Sequence, residues 1–166
     1  MDDERFALTT EATERELLTA FVEFQRNALV RKCADLSDEQ LRTRAIASSG
    51  ISLVGLVRHL ATVERWYFQS VIAGESPGSI YDYESDEAFN DVDAATGDDT
   101  FRIWRAEIEQ SRRVTDSFQL DAVSAIPTEG PVVTLRWVLV HMIDEYARHL
   151  GHADIVREAI DGVTGE

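Results

Sequence analysis

The chain has one cysteine, three prolines and about half as many basic as acidic residues, and each shortage narrows what it can do. With Cys33 alone no disulfide can form within it, which fits a reducing compartment. Sixteen Lys and Arg stand against thirty-one Asp and Glu, a net charge of −15. Such a surface repels phosphate, which argues against nucleic acid and against an anionic membrane as partners. No stretch approaches the run of about 20 apolar residues that spans a bilayer. Met1-Asp2-Asp3-Glu4-Arg5 leads into no apolar core of signal-peptide length, so the expected location is the cytoplasm. Also missing are a Gly-x-Ser-x-Gly elbow, a phosphate-cradling glycine loop, a dinucleotide fingerprint and the His-Glu-x-x-His helix of metalloproteases.

What is present is helical. At 166 residues, 44% of them hydrophobic, residues 1–166 are expected to form a single domain around one core. The first helix is predicted from Thr10 to Leu36, with Leu17, Leu18, Phe21, Phe24, Leu29 and Cys33 as its apolar stripe. Ser37 and Gln40 then read as a capping box. A second helix is predicted from Ser52 to Ala73, burying Leu53, Leu56, Val57, Leu60, Val63, Trp66, Tyr67 and Val71, with Gly74 as its stop. A long acidic connection over 74–98 reads as a lid or a surface excursion. The third helix runs from Asp98 to Phe118 with Phe101, Trp104, Ile108 and Val114 inward. The fourth runs from Thr134 to Ile160, with Gly162 beyond it. No strand pattern appears, so the expected fold is all-α, an up-and-down four-helix bundle with a long connection between helices two and three.

The four histidines, His59, His141, His149 and His152, all fall in the second and fourth predicted helices. At about 100° per residue, His141, Glu145, His149 and His152 lie within roughly 80° of arc, one face of one helix. His59 lies in line with Leu56, Val63 and Trp66, where an imidazole needs a partner. Taken alone, His59 reads as a hydrogen-bonded core histidine and Glu145 as a solvated helix residue. Together, across two helices, they point to a divalent-metal site built in a bundle interior. Two histidines and one carboxylate suit zinc and leave a fourth position open, while nickel, manganese and ferrous iron accept the same donors. Whether His141 or His152 joins the site stays open at this point. Cys33 reads as an inert buried thiol, and Trp66, Trp104 and Trp137 as core. Arg58 and Arg148 flank the candidate ligands, either to neutralise an anionic substrate or to pair with surface acids.

Two segments carry a family resemblance. Leu36 to Leu41 followed by Ser52 to Leu60, and the stretch His141 to Glu158 with Ala147-Arg148-His149-Leu150-Gly151-His152-Ala153-Asp154-Ile155, resemble the DinB/YfiT-like superfamily. Within it, they are most similar to an actinobacterial group related to the metal-binding domain of mycothiol-dependent maleylpyruvate isomerase. The resemblance implies a four-helix bundle whose metal ligands are His59, Glu145 and His149. It carries no ligand role to His141 or His152. It also implies a metal-dependent transferase or isomerase that activates a low-molecular-weight thiol such as mycothiol for attack on a small electrophile. The other readings are a metal-dependent hydrolase, with water as nucleophile, and a non-catalytic metal-binding or stress-response bundle. A homodimer through the bundle faces fits the pattern, which marks no particular interface.

Overall fold

Side-chain caps set where the helices begin. The computed structural model describes residues 11–128 and 130–164. In it, α1 (Glu14–Cys33) starts at Thr13, whose hydroxyl accepts the Glu16 amide while its own amide donates to the Glu16 carboxylate. Ser37 and Gln40 repeat this reciprocal cap ahead of α2 (Asp38–Arg42), as their spacing predicts. Single side-chain caps open the longer helices: Ser52 caps α3 (Leu53–Glu64), Thr96 caps α5 (Gly97–Ser117) and Thr134 caps α6 (Leu135–Asp161). Gly162, at φ 77°, ends α6 in the left-handed conformation that a Cβ disfavours. Thr10, the expected start of the first helix, and Met1 to Arg5 lie outside the described residues.

The long helices pack as the expected all-α bundle, α1 against α6 and α3 against α5. No strand forms among the described residues; an isolated antiparallel bridge between Val123 and Thr134 pins the turn into α6. Among these residues no helix is long and apolar enough to cross a membrane. The core is built from Leu29, Leu53, Leu56, Leu60, Phe68, Leu135, Met142 and Tyr146, all essentially inaccessible. On α1 the expected stripe needs correction. Leu29 and Cys33 are buried, but Leu17 is 43% exposed, and the inward face is Val22, Arg26, Leu29 and Cys33. At about 100° per residue Leu17 sits some 140° from Val22, so both cannot face one core. Cys33 is buried as expected, and burial pushes its thiol up to about 12.

The second predicted helix is not one regular α-helix. After Glu64 it continues as a π segment, Arg65–Ile72. An i→i+5 helix fits more residues into each turn than α, so each advances the chain by less rotation. Even in the α register Trp66 would stand about 200° around the helix from the buried Glu64, and Tyr67 only about 60° from it. This corrects the expectation for Trp66, which is 42% exposed, whereas Tyr67 is half-buried. The segment is tied to α5 by Glu107, which accepts two hydrogen bonds from Arg65 (3.0 and 2.7 Å) and one from Gln69 (2.7 Å).

The 74–98 connection is docked rather than loose. It carries a short helix, α4 (Glu87–Asn90), which packs on α3. Gly55 makes the approach possible, because a Cβ there would come within 2.8 Å of Phe89 Cδ1 and 3.1 Å of Ser52 Oγ.

One polar cluster crosses the whole core. Arg26 of α1 donates to both carboxylate oxygens of Glu64 on α3, at 2.8 and 2.7 Å. Tyr146 Oη of α6 donates to Glu64 Oε1 at 2.7 Å, and Trp104 Nε1 of α5 donates to Tyr146 Oη at 2.9 Å. Glu64 has no exposed surface and Arg26 has 5%. Burial, with the Glu64 carboxylate alongside, holds the Tyr146 hydroxyl far above its ordinary pKa, so it remains a donor. Removing one partner of such a pair costs about 3–5 kcal/mol, because the other charge is left buried and unpaired. Glu64→Leu should therefore lose that much in urea denaturation, and Arg26→Met with Glu64→Leu should recover part of it. A double variant as unstable as the sum of the singles would show the pair to be uncoupled.

Candidate metal centre

The site forms where α3 and α6 run side by side. Four polar residues share one face of α6, and the structure brings two of them, Glu145 and His149, to His59 on α3. Glu145 Oε1 lies 3.2 Å from His59 Nε2 and 3.0 Å from His149 Nε2. The three ligand atoms all lie within 4.8 Å of one another. Donors at about 2.1 Å around a tetrahedral ion stand roughly 3.4 Å apart, so this cluster can close on a divalent cation by small side-chain shifts. The hydrogen bonds from His149 and His59 hold the Glu145 carboxyl well below the usual carboxylate range, despite the opposing effect of burial. Glu145 is thus an anion ready to act as a donor.

The rings are held from several sides. His59 packs against His149 edge-on, centroids 4.6 Å apart, and against Phe89 of α4 at 5.5 Å. His152 lies outside the cluster, but its Nδ1 is 3.4 Å from His149 Nδ1. With Nε2 of His149 turned to the cluster, a proton on its Nδ1 can be shared with His152, which would fix ring and tautomer. His141 also stays outside. Its ring stacks on Trp137, centroids 4.9 Å apart and 7° from parallel, and meets Tyr67 at 4.5 Å.

Several expectations near the site change. Trp104 is buried, but Trp137, expected in the core, is 42% exposed. Arg58 cannot serve as an anion contact: it is 5% exposed, its Nη1 donates to the Asp91 carbonyl, and its guanidinium lies 4.1 Å over the Tyr81 ring. Arg148 remains exposed, donating to Asp144 at 2.9 Å and lying 3.9 Å from Glu145 Oε2. Phe89 and Tyr81, on the connection, had no periodic pattern to reveal them. His152 was visible as the i+3 neighbour of His149, but its contact depends on rotamers.

Beside His59 lies a shallow pocket walled by Thr62, Tyr81, Asp82, Tyr83, Asp86 and Phe89. A larger cleft of about 590 Å³ runs between α1 and α6, lined by Phe24, Arg31, Asp154 and Arg157, and includes none of the three cluster residues. Burial lowers the His141 pKa from 6.5, outweighing the attraction of Glu145 and Asp144, so its ring is neutral at pH 7. In NMR titration of the metal-free protein, His141 should therefore titrate below 6.5. Trp137→Ala, which uncovers the ring, should move it back toward that value. A wild-type value above 6.5, or one unmoved by the substitution, would remove burial as the cause.

The comparisons with known proteins agree with this geometry. A family model described as mycothiol-S-transferase matches residues 17–162, nearly the whole chain. No curated protein matches it. Among solved structures, the crystal structure of a conserved protein from Enterococcus faecalis superposes with a TM-score of 0.66 at 18% identity, covering 92% of this chain and 99% of that one. At that identity the likeness speaks for the fold alone. Membership of the matched family suggests mycothiol-related transferase activity and a small thiol substrate. From the length of that match, the chain belongs to the mycothiol-S-transferase family, a DinB/YfiT-like family, as its two motif segments led us to expect.

Proposed function

We propose that the protein joins a low-molecular-weight thiol of the mycothiol kind to a small electrophile, with His59, Glu145 and His149 holding a divalent cation, most simply zinc. The observation that carries this reading is the convergence of two imidazole nitrogens and one carboxylate oxygen, from two helices, within 4.8 Å in a chain of this family. A cation bound there supplies positive charge that lowers the thiol's pKa, and the single carboxylate leaves that charge only partly neutralised.

The chain's own residues do the rest. His59 and His149 fix the position at which sulfur is presented, and His152 steadies His149 from behind. Phe89 packs on one side of His59 and limits the positions its ring can take. The thiol proton passes to solvent through the open groove. The sulfur lone pair forms a bond to the electrophilic carbon while the bond from that carbon to its leaving group breaks, and the leaving group departs with the electron pair. No residue needs to be covalently modified.

The test is conjugation of monochlorobimane with mycothiol, and with cysteine as a comparison thiol, by zinc-loaded protein. Wild type should conjugate the thiol, and His59→Ala and His149→Ala should lose more than about 100-fold in kcat/KM with helical content unchanged. His152→Ala should lose only about 10-fold, the usual cost of removing a group that orients a ligand. Hydrolysis without thiol would favour the hydrolase reading instead. Protein with no bound metal, no conjugation and an unchanged Tm after dialysis would leave the non-catalytic one.

A further inference from the structure

His59 belongs both to the triad and to the pocket beside it, whose other walls include Tyr81, Asp82, Tyr83 and Asp86. A thiol whose sulfur meets a cation at the triad therefore has this pocket for its tail. We propose that Asp82 and Asp86 sort thiols by charge there. They reject tails that carry a carboxylate or phosphate and accept neutral, hydroxyl-bearing or cationic ones. This selection rests on the thiol-transferase reading of the triad and adds to it the residues that set its thiol specificity.

The two carboxylates are available for the task. Asp86 is the N-cap of α4, at φ 52°, a left-handed backbone that residues other than glycine seldom adopt. An aspartate at an N-cap ordinarily accepts an amide of the first turn, but Asp86 makes no such bond. Its charge is thus not used by the helix it precedes. Asp82 accepts the Glu84 amide through Oδ1 alone, at 3.2 Å. Among the described residues, neither carboxylate is in an ion pair, and no lysine or arginine lines the pocket. The neighbouring cations are committed elsewhere. Arg58, 5% exposed, lies over the Tyr81 ring and donates to the Asp91 carbonyl. Arg65 is bonded to Glu107 and to the Gly78 carbonyl, and Arg148 to Asp144. An ionised carboxylate accepts hydrogen bonds and donates none. A hydroxyl or ammonium tail can donate to this wall, whereas an anionic tail brings like charge and only acceptors. A cation at the triad would by itself attract any small acid, and the two aspartates oppose that attraction on the side where the tail lies.

The probes are mercaptoethanol, mercaptoacetate and cysteamine, thiols of similar size whose tails are neutral, anionic and cationic. Each is conjugated to monochlorobimane by the zinc-loaded full chain. In the Asp82→Asn, Asp86→Asn double variant, kcat/KM for mercaptoacetate relative to mercaptoethanol should rise by about 10-fold. The same ratio for cysteamine should fall by about 10-fold, the effect of two carboxylates acting over about 8 Å in a half-exposed site. Asparagine keeps the side-chain shape and tolerates the left-handed backbone at position 86. About 1 M NaCl, which screens charges beyond roughly 3 Å, should shrink the wild-type contrasts in the same directions. Asp116→Asn, an exposed change near the end of α5, should move either ratio by less than about twofold, because net charge alone is not the cause. Affinities of the three thiols for cobalt-loaded protein, read from its absorption without electrophile, should follow the same order. Binding ratios that depend on Asp82 and Asp86 in a protein that conjugates nothing would keep the charge selection and reject the transferase reading. Active protein whose ratios ignore the double variant, or move as much in Asp116→Asn, would overturn the charge selection alone. So would an equal loss for all three thiols, which would give the aspartates a structural role instead.

Discussion

The Arg26–Glu64 pair, with Tyr146 and Trp104 attached, is the constraint on which the rest of the structure depends. It joins all four long helices: Arg26 and Tyr146 donate to the Glu64 carboxylate, which has no exposed surface, and Trp104 donates to Tyr146. A purely apolar core lets helices rotate and slide at little cost, since hydrophobic contact has no direction. A buried carboxylate bonded to a guanidinium and a phenol does not, because any slip leaves a charge unpaired. Tyr146 directed inward at Glu64 turns its neighbour Glu145 about 100° around α6, toward the groove with α3, and His149 follows one turn later. The orientation of the candidate metal-binding face is thus set from inside the core.

Much of this was legible in the residues themselves. Capping pairs such as Ser37 with Gln40, and starts such as Ser52 and Thr134, need only local chemistry, so the helices fall close to where they were expected. A candidate metal site across two helices could be read because histidine and glutamate are conspicuous on apolar or aligned helix faces, and the family resemblance narrowed it to His59, Glu145 and His149. Three features resisted. Arg26 reads as a surface residue until its partner, thirty-eight positions away, is known. The π segment follows from no local propensity. Phe89 and Tyr81 reach the site only because Gly55 lets the connection dock on α3, a tertiary fact.

The site combines rigidity with openness. Its candidate ligands stand on helices locked by the core, which suits a cluster that would have to meet a cation within a few tenths of an ångström. Beside it lies the pocket walled by Tyr81, Asp82, Tyr83 and Asp86, rich in hydroxyls and carboxylates, with Tyr83 exposed to solvent.

The most direct measurement is the metal content of purified protein and of His59→Ala, Glu145→Ala and His149→Ala variants, after zinc loading and dialysis at 150 mM salt with excess Mg²⁺. The salt and Mg²⁺ displace cations held only by the net charge of −15. Wild type should retain about one zinc per chain and each variant less than about a tenth, with helical content unchanged. Retention of zinc by all three variants, or none by wild type, would contradict the central claim that these residues form a cation site.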